Sequence, residues 1–210
     1  MRNFLKKNVF RVLFKFVLFF LAVLILSNAE NEKTNKIGLT FSLGIERIEQ
    51  RFAGVNFEFF APRISLDTKI TPDFNLKFRY KWQTSYKYDN NQEYKLNWGD
   101  FKITAENKFW NEQNQSIWFL LIYRLSNTQI SSLSINRKNL RKEIGIGLAY
   151  KNKLNKNLNG EIEVNYYPER DSFRTNLKLE YLLPATKNSI VFTFKDDDLF
   201  GIRYKIPIDY

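Results

Sequence analysis

Apolar side chains recur at every second position through most of the chain after Lys36. The pattern is clearest between Phe74 and Tyr88, where Phe, Leu, Tyr, Trp and Thr occupy the even positions and mostly Lys, Arg, Asn and Gln the odd ones. Two-residue alternation places unlike side chains on the two faces of a β-strand. The sequence therefore predicts an all-β protein, and no segment shows the 3.6-residue period of an amphipathic helix.

Short polar segments separate the alternating stretches. They predict turns at Thr71–Asp73, Asn111–Gln115, Asn155–Asn157 and Pro184–Asn188. The alternation changes phase near Pro62, which predicts a bulge in one bent strand, and it changes phase again at Gly99–Asp100. The pattern predicts about ten strands, with a range of about 8–12 that depends on how these breaks are treated. The sequence predicts one long connection between strands, at residues 127–141.

The predicted strands are long for a soluble sandwich, whose strands are usually about 5–6 residues. Many reach the roughly 9–11 residues that a β-strand needs to cross a bilayer. The sequence therefore predicts a closed antiparallel transmembrane β-barrel over residues 30–210, with a soluble periplasmic β-protein as the alternative. Aromatic residues that predict girdles at the two membrane surfaces are Tyr86, Tyr88, Tyr94 and Trp98 at one rim and Phe74, Phe109 and Trp110 at the other.

The N-terminus has the features of a secretory signal peptide. Arg2, Lys6 and Lys7 precede an apolar run of 11 residues, Phe16–Leu26, and the small residues before Glu30 suit cleavage after Ala29. The run is short for a membrane-spanning helix, which needs about 20 residues. We expect residues 1–29 to be a signal peptide, the alternative being an uncleaved anchor.

The last strand resembles the C-terminal assembly signal of bacterial outer-membrane β-barrel proteins. Its outward residues are Tyr204, Ile206, Ile208 and the terminal Tyr210. The family most often ends in Phe, and Pro207 removes a backbone donor from a closing strand, so both positions depart from the family pattern. The resemblance implies a location in the bacterial outer membrane, with outer-membrane lipid and the barrel-assembly machinery as partners.

Composition limits the chemistry available to such a barrel. The net charge of +11 falls to +6 without the signal peptide, leaving 28 basic against 22 acidic residues. Cysteine and histidine are absent, which excludes disulfides, thiolate metal sites and histidine-dependent catalysis. We expect no enzymatic activity, no metal or other cofactor and no nucleic-acid partner. Asp196–Leu199 is a candidate calcium turn, although a plain acidic turn explains it as well.

The odd positions of the predicted strands place much of this positive charge inside the barrel. A basic lumen favours anions, so one hypothesis is a small porin for anionic solutes. The alternative is that the charges pair and fill a closed barrel, since eight strands leave an interior just filled by side chains. The predicted inward basic residues are Lys77, Arg79, Lys81, Lys87, Lys102, Lys108, Arg124, Lys151, Arg174, Lys178, Lys195, Arg203 and Lys205.

A second hypothesis is a non-conducting surface or interaction barrel. The predicted outer loop carries Arg137, Lys138, Arg141 and Lys142. Guanidinium groups suit bidentate contact with phosphate, so this loop is a candidate site for lipid phosphates or acidic glycans. A solvated loop without a partner explains the same residues.

Overall fold

The computed structural model describes residues 38–89, 91–195 and 200–208. Apart from one 3-10 helical turn at Pro168–Arg170, the regular structure of these residues is β-strand. The predicted signal peptide, residues 1–29, the segment 196–199 and Tyr210 lie outside the described residues. The strands are β1 (Gly38–Phe52), β2 (Val55–Thr71), β3 (Phe74–Asp89), β4 (Gln92–Glu112), β5 (Gln115–Ser131), β6 (Asn136–Lys153), β7 (Leu158–Tyr167), β8 (Ser172–Leu182), β9 (Ser189–Lys195) and β10 (Phe200–Ile208).

The strands form a closed antiparallel barrel in which neighbours in the chain are paired and β1 also pairs with β10. The seam between β1 and β10 runs from Leu39 opposite Ile208 to Glu46 opposite Gly201. Closure satisfies backbone groups that lipid cannot hydrogen-bond. The predicted ten-stranded closed barrel is confirmed, as is closure of the last strand against the first.

Pro207 lies at this seam, opposite Thr40 of β1. The pairing of β10 with β9 ends at Lys205 opposite Ser189, so the described part of β9 does not extend to Pro207. The missing donor of Pro207 therefore lies at the seam, near the inner end of the barrel wall. The role of the strand as an assembly signal stays a prediction.

A broad apolar belt covers the outside of the barrel. The even positions of β10 and the odd positions of β5 expose their side chains there, as expected from alternation. Among the described residues, no helix is long and apolar enough to cross a membrane. The exposed outward residues include Leu43, Ile45, Phe119, Leu121, Ile144, Ile146, Leu148, Ile162, Val164, Phe192, Ile202, Tyr204 and Ile206.

The two rims of the barrel differ in height. The inner rim carries Gly38 and the turns at 72–73 and 113–114, and short turns of this kind mark the periplasmic side of outer-membrane barrels. At the opposite, outer rim β1–β6 rise above β7–β10, because β1–β6 have 15–21 residues and β7–β10 have 7–11.

The prediction of a long connection at 127–141 is wrong. Residues 127–131 continue β5 and 136–141 begin β6, and the two strands pair from Ser131 opposite Asn136 downward. The prediction failed because this part of β6 is exposed on both faces. Its side chains therefore show no alternation, although backbone pairing holds the strand.

The phase break at Pro62 does not mark a bulge, so that prediction is also wrong. Pairing between β1 and β2 runs from Gly38–Lys69 to Phe52–Val55 without a shift. Below Pro62 the outward residues of β2 are apolar and the inward residues polar, whereas above it Phe57 and Phe59 point inward and are buried. The phase break therefore marks the level at which the two faces exchange their character.

The same exchange occurs on β4, which pairs with β3 without a shift across Gly99–Asp100. Tyr94 and Trp98 are buried on the inner face, so their predicted place in an outer aromatic girdle is wrong. Tyr86 and Tyr88 are exposed on β3, in agreement with the girdle prediction. Above the exchange level, β2 and β4 point their apolar side chains into the interior of the barrel, where they are shielded from water.

These inward apolar residues form a core across the outer mouth of the barrel. Above Arg63 and Lys81 the described parts of β2 and β3 are no longer paired, and the β1–β2 hairpin packs against the inner face of β4 and β5. The rings of Phe59 and Trp98 meet edge to face at 5.7 Å between centroids. The core consists of Ile48, Val55, Phe57, Phe59, Ala61, Tyr94, Leu96, Trp98 and Ile130.

The hairpin has two features that fix its place. Its turn residues Ala53 and Gly54 have φ values of 51° and 84°, the left-handed conformation at both positions that suits a tight two-residue hairpin. Lys87 of β3 donates from Nζ to the carbonyl oxygen of Asn56 at 2.7 Å. That hydrogen bond spans the gap left where β2 and β3 separate.

We expect Phe57→Ala to lower the free energy of unfolding by about 3–5 kcal/mol, because the Phe57 side chain fills the core at 1% exposure. Phe60→Ala is the matched control on the same hairpin, where the ring is 51% exposed, and should cost about 1 kcal/mol or less. Urea unfolding in detergent, followed by tryptophan fluorescence, measures both. Equal losses would contradict a packed core at the outer mouth.

Candidate functional site: the lumen

The middle of the lumen is filled by buried charges arranged around two carboxylates. Glu46 on β1 accepts from Lys81 at 2.8 Å and from Arg63 at 3.4 Å, and it also pairs with Lys195. Each partner comes from a different strand. A buried carboxylate needs such partners, because burial without them costs several kcal/mol.

Asp100 on β4 is the second carboxylate of this layer. It pairs with Arg124 and contacts Arg79 at 3.5 Å and Lys81 at 3.8 Å. Lys81 thus bridges both carboxylates and is buried beneath the apolar core, 5.7 Å from the Trp98 ring centroid. The layer forms a polar floor under the hairpin.

Toward the inner rim, lysines and glutamates of different strands form ion pairs. Glu106 accepts from Lys77 at 2.6 Å and from Lys151 at 2.7 Å. Lys178 lies 2.5 Å from Glu161 and also pairs with Glu163. Lys102 is 3.6 Å from Glu163, and Lys205 is 2.6 Å from Glu180.

A cavity of about 330 Å³ lies within this lower charged region. It extends to Asn114, Lys153 and Asn159 at the inner rim. The side chain of Lys77 in its wall is 26% exposed, against 3% for Lys81 in the layer above. The cavity is therefore reached by solvent from the inner rim and ends at the charged layer under the apolar core.

The predicted basic residues separate into several environments. Lys87 bonds to the hairpin, Lys108 pairs with Asp73 at 2.8 Å at the inner rim, and Arg174 lies 5.5 Å from the Tyr167 ring near the outer rim. Lys81 and Arg124 belong to the buried layer. Those that line the cavity are Lys77, Arg79, Lys102, Lys151, Lys178, Lys195, Arg203 and Lys205.

Four inward charged residues were missed from the sequence, one of them Lys153 at the inner rim of the cavity. Arg63 and Asp67 line the cavity, and Asp100 is fully buried. Arg63 and Asp100 lie next to the two phase breaks, where the assignment of faces was uncertain. The alternation of Ile64 and Leu66 on the outer face was the available signal, because it places the odd positions of β2 inside.

In the described part of the chain, no group of three or more His, Cys, Asp or Glu residues is arranged to hold a metal ion. The charged lumen consists of acid–base pairs instead, so the acids are held by basic side chains. What this arrangement offers to a ligand is surplus positive charge: ten basic and five acidic residues line the cavity.

No protein-family model matches the sequence, and no characterised protein matches it by sequence. Similar solved structures include Ail, the attachment invasion locus protein of Yersinia pestis, in complex with the heparin analogue sucrose octasulfate, at 10% identity and a TM-score of 0.41, over 82% of this chain and 97% of that one. The translocator domain of the autotransporter NalP from Neisseria meningitidis has 9% identity and a TM-score of 0.48, over 88% and 92%. The KdgM porin has 12% identity and a TM-score of 0.37, over 82% and 99%. These values assign no family.

We expect Glu46→Gln to destabilise the barrel by about 3–5 kcal/mol, because it removes the buried counter-charge of Arg63 and Lys195 and leaves Lys81 with only Asp100, at 3.8 Å. Glu58→Gln is a matched control: Glu58 makes a 2.7 Å ion pair with Arg47, but its side chain is 59% exposed, against 1% for Glu46. The free energy of unfolding of Glu58→Gln should fall by about 1 kcal/mol or less. Urea unfolding of both variants tests this, and similar losses would count against a structural charge layer.

The closed ladder, the apolar outer belt and the charged interior together describe a protein that lies in lipid and keeps its polar groups inside. Strands of this kind cross the bacterial outer membrane. The chain has the fold of the bacterial outer-membrane β-barrels.

Proposed function

We propose that this chain is a non-conducting outer-membrane barrel that contacts anionic partners at the cell surface. The apolar core across the outer mouth carries the proposal. Ions need a wetted path, and an apolar constriction closes a pore to them. Phe57, Leu96 and Ile130 are buried in that core, which packs the β1–β2 hairpin against β4 and β5.

The charged layer beneath the core supports the same conclusion. Glu46, Lys81 and Asp100 are buried as well, and each is engaged by partners from other strands. The lumen thus resembles the interior of a folded domain over its outer half.

An anion-selective porin is the second candidate function. The solvent-reached cavity at the inner rim, with its surplus of basic residues, favours it. This function would require the β1–β2 hairpin to leave the mouth. The hairpin is unpaired with β3 over its upper part, which makes its removal a direct test.

We expect the native protein to form no channels in planar lipid bilayers. A variant in which Asn-Gly replaces residues 47–60 joins Glu46 to Ala61, which are paired opposite each other, by a tight turn. This variant removes the four core residues of the hairpin, Ile48, Val55, Phe57 and Phe59, and should admit ions with a preference for anions, because basic residues are in excess in the cavity. Channels formed by the native protein would overturn the non-conducting proposal.

The surface role rests on the β6 extension. Arg137, Lys138, Arg141 and Lys142 are all exposed, and their alternation on a strand directs basic side chains to both faces. The turn beyond them presents Leu133 at 97% exposure. The extension therefore offers a basic surface with an apolar tip above the lower wall of β7–β10.

Further arginines adjoin this extension at the outer rim. Glu143 accepts from Arg124 and Arg170 and lies 4.0 Å from Arg141. One carboxylate thus serves three guanidinium groups, and the surplus positive charge remains for another anion. Phosphate groups of surface lipids suit arginine because of its planar donor pair.

Replacing Arg137, Lys138, Arg141 and Lys142 with Gln should weaken binding of phosphorylated lipopolysaccharide by at least about tenfold, since each basic residue near an anionic surface contributes about 1 kcal/mol. Titration of the detergent-solubilised protein with fluorescent lipopolysaccharide measures this. Neutralising Lys69, Lys153, Lys156 and Lys187, which lie toward the inner rim, is the charge-matched control and should have little effect. Equal weakening in both variants, or binding of dephosphorylated lipopolysaccharide as tight as that of the phosphorylated form, would count against a phosphate-binding extension.

A further inference from the structure

Three arginines line the end of the cavity that lies next to the buried charged layer. Arg63 on β2 and Arg203 on β10 are both paired with Gly44, which lies between them on β1. Arg79 on β3 is paired with Ser65 of β2. All three line the cavity, and the charges of Arg79 and Arg203 both act on Arg63.

Gly44 allows this close approach. A side chain at that position would meet Cγ of Arg203 at 2.7 Å and its Cα at 2.9 Å, closer than carbon atoms approach without displacement. Because Gly44 has no side chain, the side chain of Arg203 can occupy the space over β1 at this position. The sequence thus places two guanidinium groups on either side of a position that has no side chain.

The positive charge of these arginines is poorly compensated within the described residues. Arg63 is 3.4 Å from Glu46, whose better contact is to Lys81 at 2.8 Å. Arg79 is 3.5 Å from Asp100, which is held more closely by Arg124. Arg203 has no ion pair within 4.0 Å among the described residues, although it is buried.

Buried hydrogen-bond donors around the arginines also lack partners in the described part of the chain. They are the Nε groups of Arg63, Arg79 and Arg203 and the hydroxyl groups of Ser65 and Thr193. All five side chains line the same cavity. Buried polar groups in folded proteins are nearly always hydrogen-bonded, so a cluster of five orphan groups at one end of a cavity indicates a site for an acceptor.

The acids of the cavity wall leave this end of the cavity open to an anion. Glu161 and Glu180 are held by lysines at 2.5 Å and 2.6 Å, and Glu106 by two lysines, and Glu163 pairs with Lys178. Asp67 is the remaining acid of the wall, and its charge acts on both Arg63 and Arg203. Asp67 is therefore the group against which a bound anion would compete.

We propose that Arg63, Arg79 and Arg203 bind a small phosphate-class anion that enters the cavity from the periplasmic rim. Several guanidinium groups converging on one point match the charge and the acceptor geometry of a phosphate group. A volume of about 330 Å³ is at the lower end of the range for small-molecule sites, which limits the ligand to inorganic phosphate or a small phosphate ester. The outer end is covered by the apolar core, so the site is a dead end and does not depend on conduction.

Phosphate binding to the purified full barrel in detergent tests the proposal, measured by isothermal titration calorimetry and by the rise in unfolding temperature that a ligand of the folded state produces. Inorganic phosphate and glycerol 3-phosphate are the probes, with sodium chloride at equal ionic strength as the reference. We expect binding to the native protein and at least tenfold weaker binding to Arg203→Gln. Absence of phosphate binding, or an equal effect of chloride, would overturn the proposal.

Two further variants separate the site from general charge and from folding. Asp67→Asn removes the competing acid and should bind phosphate more tightly, a gain that a folding defect does not produce. Lys108→Gln removes a basic residue of the inner rim that is paired with Asp73 outside the cavity wall and should bind like the native protein. Weakening by Lys108→Gln equal to that by Arg203→Gln, or weaker binding by Asp67→Asn, would contradict the assignment.

Discussion

The structure depends on the exchange of its two faces at one level of the wall. On β2 and β4, apolar side chains point out and polar or charged ones point in below Ala61 and Trp98, whereas above that level apolar residues such as Phe57 and Leu96 point in. The backbone ladder does not change across the boundary. Because each side chain must face a medium that suits it, the upper strands need an interior of their own, and the hairpin packed on β4 and β5 provides it.

This exchange explains what could be predicted from the sequence about the fold. The strand number and the closure followed from alternation, as in β3, where the phase never changes. The bulge at Pro62 and the girdle roles of Tyr94 and Trp98 were wrong because alternation reports a difference between two faces, not which face meets lipid. The stretch 127–141 was misread because its β6 part, 136–141, is exposed on both faces and shows no alternation.

The lumen was predictable only in part. The alternation of side chains along each strand identified most of the inward charged residues, including Lys77 and Lys178. It did not identify their ion-pair partners. Lys81 and Glu46 are 35 residues apart, and their meeting depends on the curvature of the barrel and the register of several strands. The same holds for Arg63 and Arg203, which become neighbours only because the last strand closes against the first beside Gly44.

Where the wall is of unequal height, 47–52 on β1 and 136–145 on β6 have no ladder partner on β10 or β7 in the described chain, and β2 and β3 are unpaired above Arg63 and Lys81. Free edges invite pairing with other chains, and charged side chains discourage it. Such charges are present on 47–52 of β1, as Arg47, Glu49 and Arg51, and on 136–145 of β6, as Arg137 and its basic neighbours. In a crowded membrane, where copies collide side by side in one orientation, this charge keeps the raised walls of neighbouring molecules from joining into a continuous sheet.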